Sequence, residues 1–167
     1  MSFNTVLHQL RSAKNIGMIA RSHLAFGGDF LILIGDQNKW NFKGGTSTYT
    51  RKINEQEKLL FFENFDLFLE WNNTQNKGIN IAIEIDNNAK DSSEYQYPEN
   101  CNIILGNERT GIERETLEKC DLVITIPQIN PIGSLNVAIS ASIIFYEIGK
   151  GMKSNLSIND NKFKQIE

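Results

Sequence analysis

The sequence predicts a single α/β domain with a mostly parallel six-stranded sheet flanked by helices. Short apolar runs recur along the chain with segments of helical periodicity between them, an alternation typical of α/β domains. Of the 167 residues, 40% are hydrophobic, which is enough for one domain with a single core. We therefore expect one domain over residues 1–150 and a polar tail over residues 151–167.

Six short apolar runs predict the strands. Runs of this length that are rich in Val, Ile, Leu and Phe are typical of strands buried in a parallel sheet. The predicted strands cover residues 4–10, 30–34, 59–63, 79–85, 102–105 and 122–126.

Helices are predicted between these runs. Asn15, Asn64 and Ser134 stand where a side-chain oxygen can cap the first turn of a helix. The last helix should present a broad apolar face that includes Ile139 and should pack on the sheet. The predicted helices cover residues 15–26, 65–76 and 113–119, and a long one begins near Ser134.

The sequence predicts neither a secreted, nor a membrane, nor a metal-binding protein. The first residues lack the apolar stretch of a signal peptide and no run is long enough for a membrane helix, so we expect a cytoplasmic protein with no membrane partner. The only two cysteines have no metal-like spacing, so no metal is expected. The net charge is -3, but residues 1–52 carry seven bases against two acids. Such a basic third is compatible with RNA, although scattered solvated charges explain it equally well.

Residues 35–54 are predicted to form a loop, with Gly44-Gly45 as a flexible break. Aromatic residues alternate there with cations such as Lys43 and Arg51. Aromatic rings that stack on bases, beside cations that meet phosphates, are one way to hold RNA. Packing of these aromatics on the domain or on a partner subunit is the alternative.

Three short polar motifs stand out, and motif 1 covers residues 15–27 (NIGMIARSHLAFG). Asn15 can cap the helix, Gly17 allows close approach of backbone or ligand, and Arg21 lies on the same helix. A capping Asn and an exposed Arg are common in helices, so this motif alone also fits a purely structural role.

Motif 2 covers residues 103–111 (IILGNERTG), a buried strand followed by a polar loop between two glycines. Ligands of open α/β sheets bind beyond the carboxyl ends of strands, and Gly106 would let a cofactor lie against bare backbone. Glu108 is either part of such a site or an acid placed near the start of the next helix.

Motif 3 covers residues 124–138 (ITIPQINPIGSLNVA), again a strand, a loop and a helix start. Ser134 and Asn136 place a hydroxyl and an amide near unpaired backbone donors of the helix. A well-capped helix is the structural alternative.

In this order and spacing, the three motifs resemble the signature motifs of the SpoU (TrmH-type) branch of the SPOUT RNA methyltransferases. The resemblance spans about residues 4–149, and no GxGxxG fingerprint of a Rossmann-type methyltransferase occurs. The polar positions that agree are Asn15, Arg21, Glu108, Ser134 and Asn136.

The resemblance implies a C-terminal trefoil knot and a bent S-adenosylmethionine held mainly by backbone. It also implies a homodimer in which Arg21 of one chain meets the cofactor of the other. The cofactor contacts that it implies are Ile83, Glu84, Gly106, Ile126, Ser134 and Leu135.

The implied reaction is methyl transfer to a ribose 2′-hydroxyl of RNA. A guanidinium rarely releases its proton, so we expect Arg21 to grip a phosphate and polarise the 2′-oxygen rather than act as a free base. Glu108 and Asn136 would orient that oxygen, and Asn15 would set the local geometry. The expected RNA-binding residues are Arg11, Lys14, Arg21, Lys43 and Arg51.

The RNA target is less constrained than the reaction. No separate N-terminal RNA-binding domain is evident, which favours tRNA over rRNA, and Gln128 stands where Met is frequent in the family. Three alternatives remain: a catalytically silent RNA-binding protein with this fold, a SPOUT enzyme that methylates a base, and a generic nucleotide-binding α/β domain.

Overall fold

The protein is described from a computed structural model, which covers residues 2–36, 48–130 and 133–150. These residues form a seven-stranded sheet in which every pairing is parallel. The strand order is β3-β2-β1-β6-β4-β7-β5. The strands are β1 (Ser2–His8), β2 (Leu31–Ile34), β3 (Leu59–Phe62), β4 (Ile79–Ile83), β5 (Lys90–Asp91), β6 (Asn100–Leu105) and β7 (Leu122–Thr125).

All six predicted strands are present, and the parallel α/β architecture is confirmed. β1 lies two residues earlier than predicted, because Gln9 adopts a left-handed conformation (φ 57°) that ends it. The count of six is wrong: β5 adds an edge strand, pairing Lys90 with Ile124 and Asp91 with Thr125. Its two polar residues carry no apolar signal.

The helices are α1 (Ala13–Ala25), α2 (Thr48–Glu55), α3 (Phe65–Trp71), α4 (Arg114–Glu118) and α5 (Val137–Gly149). A π-helical turn, Asn72–Asn76, continues α3. Asn64 caps α3 as predicted.

Two of the predicted caps are wrong. Ser12, not Asn15, caps α1 and accepts a hydrogen bond from the Asn15 N–H at 3.2 Å. At α5, Asn136 rather than Ser134 caps the helix, because its Oδ1 accepts from the Ala138 N–H at 2.9 Å. Each helix therefore begins near, but not at, the predicted residue.

The loop prediction for residues 35–54 is wrong at its end, where α2 begins at Thr48. The rest of that interpretation, including Gly44-Gly45 and Lys43, falls in residues 37–47, outside the described residues. The predicted tail over residues 151–167 also lies outside them.

Helices cover both faces of the sheet. Successive side chains of each strand point to opposite faces, so the apolar strands contribute to a cluster on each side. In β2, for example, Leu31 and Leu33 pack in one cluster with α1, α2 and α5, whereas Ile32 and Ile34 pack in a second with α3. Both clusters consist of buried aliphatic and aromatic side chains. The two-sided core explains why the strands are almost continuously apolar.

Part of the predicted apolar face of α5 is exposed rather than packed on the sheet. Ala141, Ile144 and Phe145 are fully buried, but Ile139 is 46% exposed and Tyr146 56% exposed. The prediction for Ile139 is therefore wrong, because a helix at a sheet surface buries only one stripe of its side chains.

The amino ends of the central strands are closed by a buried asparagine network. The Nδ2 of Asn102 donates to the Oδ1 of Asn72 at 2.9 Å and of Asn80 at 2.8 Å, while its own Oδ1 accepts from Asn4 at 2.8 Å. Such mutually satisfied amides can be buried at low cost. A cavity of about 430 Å³ lies beside this network at the amino ends of β4 and β7, lined by Asn72, Gly78 and Asn80 among others.

Within the described ranges, no helix is long and apolar enough to cross a bilayer. The same ranges contain no group of three or more His, Cys, Asp or Glu side chains that could hold a metal ion.

Candidate active site

A cavity of about 500 Å³ opens at the carboxyl ends of β4, β6 and β7. Its lining residues lie within four segments: 83–85, 105–111, 125–128 and 134–140. Parallel strands end there together, and the carboxyl edge of an open α/β sheet is where ligands bind. Motifs 2 and 3 therefore meet at one cavity although they are separate in sequence.

Most of the predicted catalytic and cofactor residues line this cavity, and two do not. Asn15 lies just behind the wall, and Arg21 lies outside the lining. The predicted residues that line the cavity are Ile83, Glu84, Gly106, Glu108, Ile126, Ser134, Leu135 and Asn136.

The two glycines of motif 2 pack against each other. A Cβ on Gly106 would come within 2.4 Å of the Gly111 backbone carbon, and residues 107 and 111 form an antiparallel bridge. We expected Gly106 to leave bare backbone for a cofactor. Gly106 lines the cavity, so that stays a prediction, and the returning loop gives a second reason for glycine at this position.

Glu84 supports this loop from the end of β4. Its Oε2 accepts a hydrogen bond from the Ile112 N–H at 2.9 Å and its Oε1 from the Ile85 N–H at 3.0 Å. A Cβ on Gly111, which has a φ of 66°, would come within 2.4 Å of the same carboxylate. Glycine is required at position 111 both by conformation and by space.

Glu108 connects motif 2 to the start of α1. Its carboxylate accepts hydrogen bonds from the N–H groups of Arg11 (3.1 Å) and Ser12 (3.0 Å) and from the Asn15 amide (3.1 Å). It therefore serves the start of α1 rather than that of α4, the next helix along the chain. The interpretation of Glu108 as an acid of its own following helix is wrong.

The same contacts determine the charge of Glu108. Partial burial raises the pKa of this carboxyl. Hydrogen bonds from its own backbone, from Arg11 and Ser12, and from Asn15 lower the pKa, and together they outweigh the effect of burial. The net pKa lies below the ordinary value of 4.5, so Glu108 is a carboxylate at neutral pH.

Asn15 joins the third motif to this arrangement. Its Oδ1 accepts a hydrogen bond from the Asn136 amide at 3.3 Å, while its own amide donates to Glu108. Asn15 is 9% exposed, so both ends of its side chain are used inside the protein. One buried amide thus links all three motifs.

The predicted RNA-binding cations lie outside the cavity. Arg21 is exposed on α1, and its Cζ lies 5.5 Å from the centre of the Tyr49 ring. Arg11 and Lys14 are exposed at the start of α1, and Arg51 is exposed on α2. Within one chain the structure does not bring Arg21 to the cavity.

Several lining residues were missed by sequence reasoning, among them Arg109 and Thr110 in the motif 2 loop. Their position just after a buried strand was the only available signal. Gln128 was noted only as unusual; its Nε2 donates to the Gly133 carbonyl at 3.5 Å, and its buried Oε1 has no partner among the described residues. The cavity wall thus keeps an unsatisfied acceptor.

The sequence profile of the SpoU rRNA Methylase family matches residues 2–146. The chain belongs to this family. The resemblance inferred from the motifs is confirmed, whereas the trefoil knot that it implied stays a prediction.

Curated SpoU relatives match part of the chain. The tRNA (guanosine(18)-2′-O)-methyltransferase of Escherichia coli (strain K12) is 39% identical over 67 residues, which are 40% of this chain and 29% of that protein. Its Mus musculus counterpart TARBP1 is 36% identical over 67 residues, 40% of this chain and 4% of that protein. The matched region spans less than a third of the length of either relative.

Solved structures extend the comparison to nearly the whole fold. A structure from work on 2-OH methylation of C/U34 on tRNA has a TM-score of 0.75 and 24% identity, covering 88% of this chain and 93% of that one. The SpoU methyltransferase AviRb from Streptomyces viridochromogenes, in complex with the cofactor AdoMet, has a TM-score of 0.70 and 20% identity, covering 87% and 56%. At these identities the likeness shows the SpoU fold.

Proposed function

We propose that this chain is an S-adenosylmethionine-dependent RNA methyltransferase that methylates a ribose 2′-hydroxyl. The observation that carries the proposal is one cavity at the carboxyl edge of the sheet that is lined by all six predicted cofactor residues. Asn15 is hydrogen-bonded to both Glu108 and Asn136 at its wall. Family membership supplies the reaction class.

The cavity suits a nucleoside-sized cofactor. Its volume of about 500 Å³ falls within the roughly 300–1,000 Å³ of small-molecule sites. Ile126, Leu135 and Val137 provide apolar wall for a flat ring, and Oε1 of Gln128 is an acceptor without a partner among the described residues. S-adenosylmethionine supplies a methyl group activated by positively charged sulfur when bound there.

The chain's own residues would then align and activate the RNA. The bound cofactor would supply the methyl group, and the 2′-hydroxyl that accepts it would lose its proton to solvent. Arg21 would hold the adjacent phosphate and polarise the 2′-oxygen, because a guanidinium binds phosphate well and keeps its proton.

The hydrogen bonds of motif 1 sharpen the roles of Glu108 and Asn15. Because Glu108 already accepts three hydrogen bonds from the start of α1, it is assigned to holding the cavity wall, and Asn15 to fixing the distance between motifs. Asn136 has one amide hydrogen bond, to Asn15, and is exposed at the rim, so it keeps the role of orienting the hydroxyl. The starts of α1 and α5 are thereby held in place before RNA binds.

A homodimer is part of this proposal. Arg21 lies outside its own cavity, and Met18, one helical turn before it on α1, is 41% exposed. Ile139 and Tyr146, two turns apart on α5, are exposed apolar side chains on the helix that packs beside α1. Pairing two copies through these helices would cover this surface and carry each Arg21 toward the cavity of the other copy.

We propose tRNA rather than rRNA as the substrate. The two curated relatives are named as tRNA methyltransferases, and the most similar structure described above concerns 2-OH methylation on tRNA.

The test is calorimetric titration of the purified chain with S-adenosylmethionine and with S-adenosylhomocysteine. We expect saturable binding that Leu135→Arg abolishes, because its larger charged side chain would fill the cavity. Leu67→Arg, at a 42% exposed position on α3, is the matched control and should bind normally. Absence of heat at millimolar cofactor, with RNA binding retained, would leave the silent RNA-binding alternative instead.

A further inference from the structure

Arg109 is a cation at the lip of the cavity that the roles assigned above do not use. It is exposed and belongs to the cavity lining. The two lining carboxylates, Glu84 and Glu108, both accept hydrogen bonds from backbone N–H groups. Neither forms an ion pair with Arg109 in the described part of the chain, so its guanidinium is available to an external anion.

Hydrogen bonds attach the motif 2 loop, which carries Arg109, to the segment that carries Arg11. The Asn107 amide donates to the Gln9 carbonyl at 2.7 Å, and Glu108 accepts from the N–H groups of Arg11 and Ser12. The motif 2 loop therefore lies against the chain that enters α1, where the side chains of Arg11 and Lys14 are exposed. Residues about a hundred positions apart thus share one surface.

These cations remain without acidic partners among the described residues. The ion pairs found there involve Arg51, Lys58, Arg114, Lys119 and Lys150 instead. The two carboxylates that line the cavity with Arg109, Glu84 and Glu108, accept hydrogen bonds from N–H groups and form no ion pair with these cations in the described ranges. Three cations against two carboxylates leave one positive charge in excess.

We propose that Arg109, together with Arg11 and Lys14, forms a phosphate-binding rim that holds the RNA backbone next to the cavity mouth. This inference rests on the proposed function and adds a positioning residue to it. A row of separate cations that continues from the cavity onto α1 matches a polyanion with regularly spaced phosphates. A single carboxylate on the cofactor would use only Arg109, so RNA is the partner that accounts for all three.

Arg109→Gln is a suitable variant because folding does not depend on this side chain. The Arg109 backbone N–H donates to the Asn107 side chain at 2.9 Å, and any residue except proline can keep that bond. Arg114→Gln is the matched control. Arg114 is exposed, lies five residues further along, and is already engaged by Glu118 at 3.0 Å and Asp86 at 3.7 Å.

The experiment measures binding of fluorescently labelled total tRNA to the full chain at several KCl concentrations, alongside calorimetry with S-adenosylhomocysteine. For Arg109→Gln we expect tRNA affinity to fall by roughly 3- to 10-fold at low salt, and the slope of log affinity against log salt to fall by about one. Arg109→Lys should keep the slope, Arg114→Gln should match the wild type, and cofactor affinity should stay constant throughout.

Two results would overturn the inference. An unchanged tRNA affinity and salt slope in Arg109→Gln would show that Arg109 meets no phosphate. A weakened affinity for S-adenosylhomocysteine with normal tRNA binding would assign Arg109 to the cofactor. Either result leaves the proposed function intact if the wild type binds both ligands, whereas a wild type that binds no cofactor removes the proposed function itself.

Discussion

The Glu108 carboxylate accepts a hydrogen bond from the Asn15 amide at 3.1 Å, although 93 residues separate the two along the chain. The same carboxylate accepts from the N–H groups of Arg11 and Ser12. The loop after β6 is therefore attached to the start of α1, and the cavity wall depends on this attachment.

Glu108→Ala should destabilise the protein and weaken cofactor binding together. Loss of the carboxylate leaves N–H groups at the start of α1 unpaired, at a cost of about 1–3 kcal/mol. The measurement is urea unfolding combined with calorimetry. Glu113→Ala is the control, since Glu113 makes no side-chain hydrogen bond at the start of α4. This variant should keep nearly normal stability and cofactor affinity. Equal effects of the two substitutions would refute the role given to Glu108.

Gly111→Ala should reduce stability and cofactor affinity more than Gly27→Ala. Both glycines have a positive φ, 66° and 77°, so both substitutions carry a strain of about 1–2 kcal/mol. Only at Gly111 would the new Cβ collide, with the Glu84 carboxylate that supports the motif 2 loop. We expect cofactor affinity to fall at least tenfold for Gly111→Ala and to stay normal for Gly27→Ala. Normal binding by Gly111→Ala would show that the loop tolerates displacement of Glu84.

Ile139→Asp should convert the proposed dimer into monomers. An aspartate among the exposed apolar side chains of α1 and α5 would be buried without a partner on association. Sedimentation velocity measures the mass of each species. Leu67→Asp, at an equally exposed position on α3, should leave the dimer intact. A wild-type chain that sediments as a monomer would contradict the proposed dimer.

His23 should make stability depend on pH. Burial, opposed in part by Asp29, lowers its pKa from 6.5 to about 4, so the folded protein keeps this imidazole neutral while the unfolded chain protonates it. The free energy of unfolding should therefore fall as pH drops from about 6.5 to about 4, by on the order of 3 kcal/mol in all.

Urea unfolding of wild type and His23→Gln across this range measures the effect. The variant should lose most of the slope, and His8, whose pKa burial also lowers, should account for part of what remains. An identical slope in the variant would mean that His23 is not the titrating group.

Much of the fold could be predicted because strands buried in a parallel sheet have short, continuous runs of apolar residues. The strand β5 escaped because two polar residues carry no such pattern, and α2 because only Thr50 and Ile53 of its eight residues are buried. Strand ends and helix caps shifted by one to three residues, since neighbouring polar side chains such as Ser12 and Asn15 compete for the same backbone donors.

Eight residues that line the cavity could be named from the motifs and the family resemblance, but their partners could not. No spacing rule indicates that Glu108 serves the start of α1, or that a Cβ on Gly106 would collide with the backbone of Gly111. These are tertiary contacts between segments far apart in sequence. Arg109 was missed for the same reason: its cationic neighbours become neighbours only through the Glu108 hydrogen bonds.

The most direct measurement is a map of ribose 2′-O-methylation in total RNA from cells with the gene, without it, and without it but carrying Arg21→Ala. We predict that one methylated ribose, in a tRNA, is lost with the gene, returns with the wild-type chain and stays absent with Arg21→Ala. Identical maps with and without the gene would contradict the proposed activity.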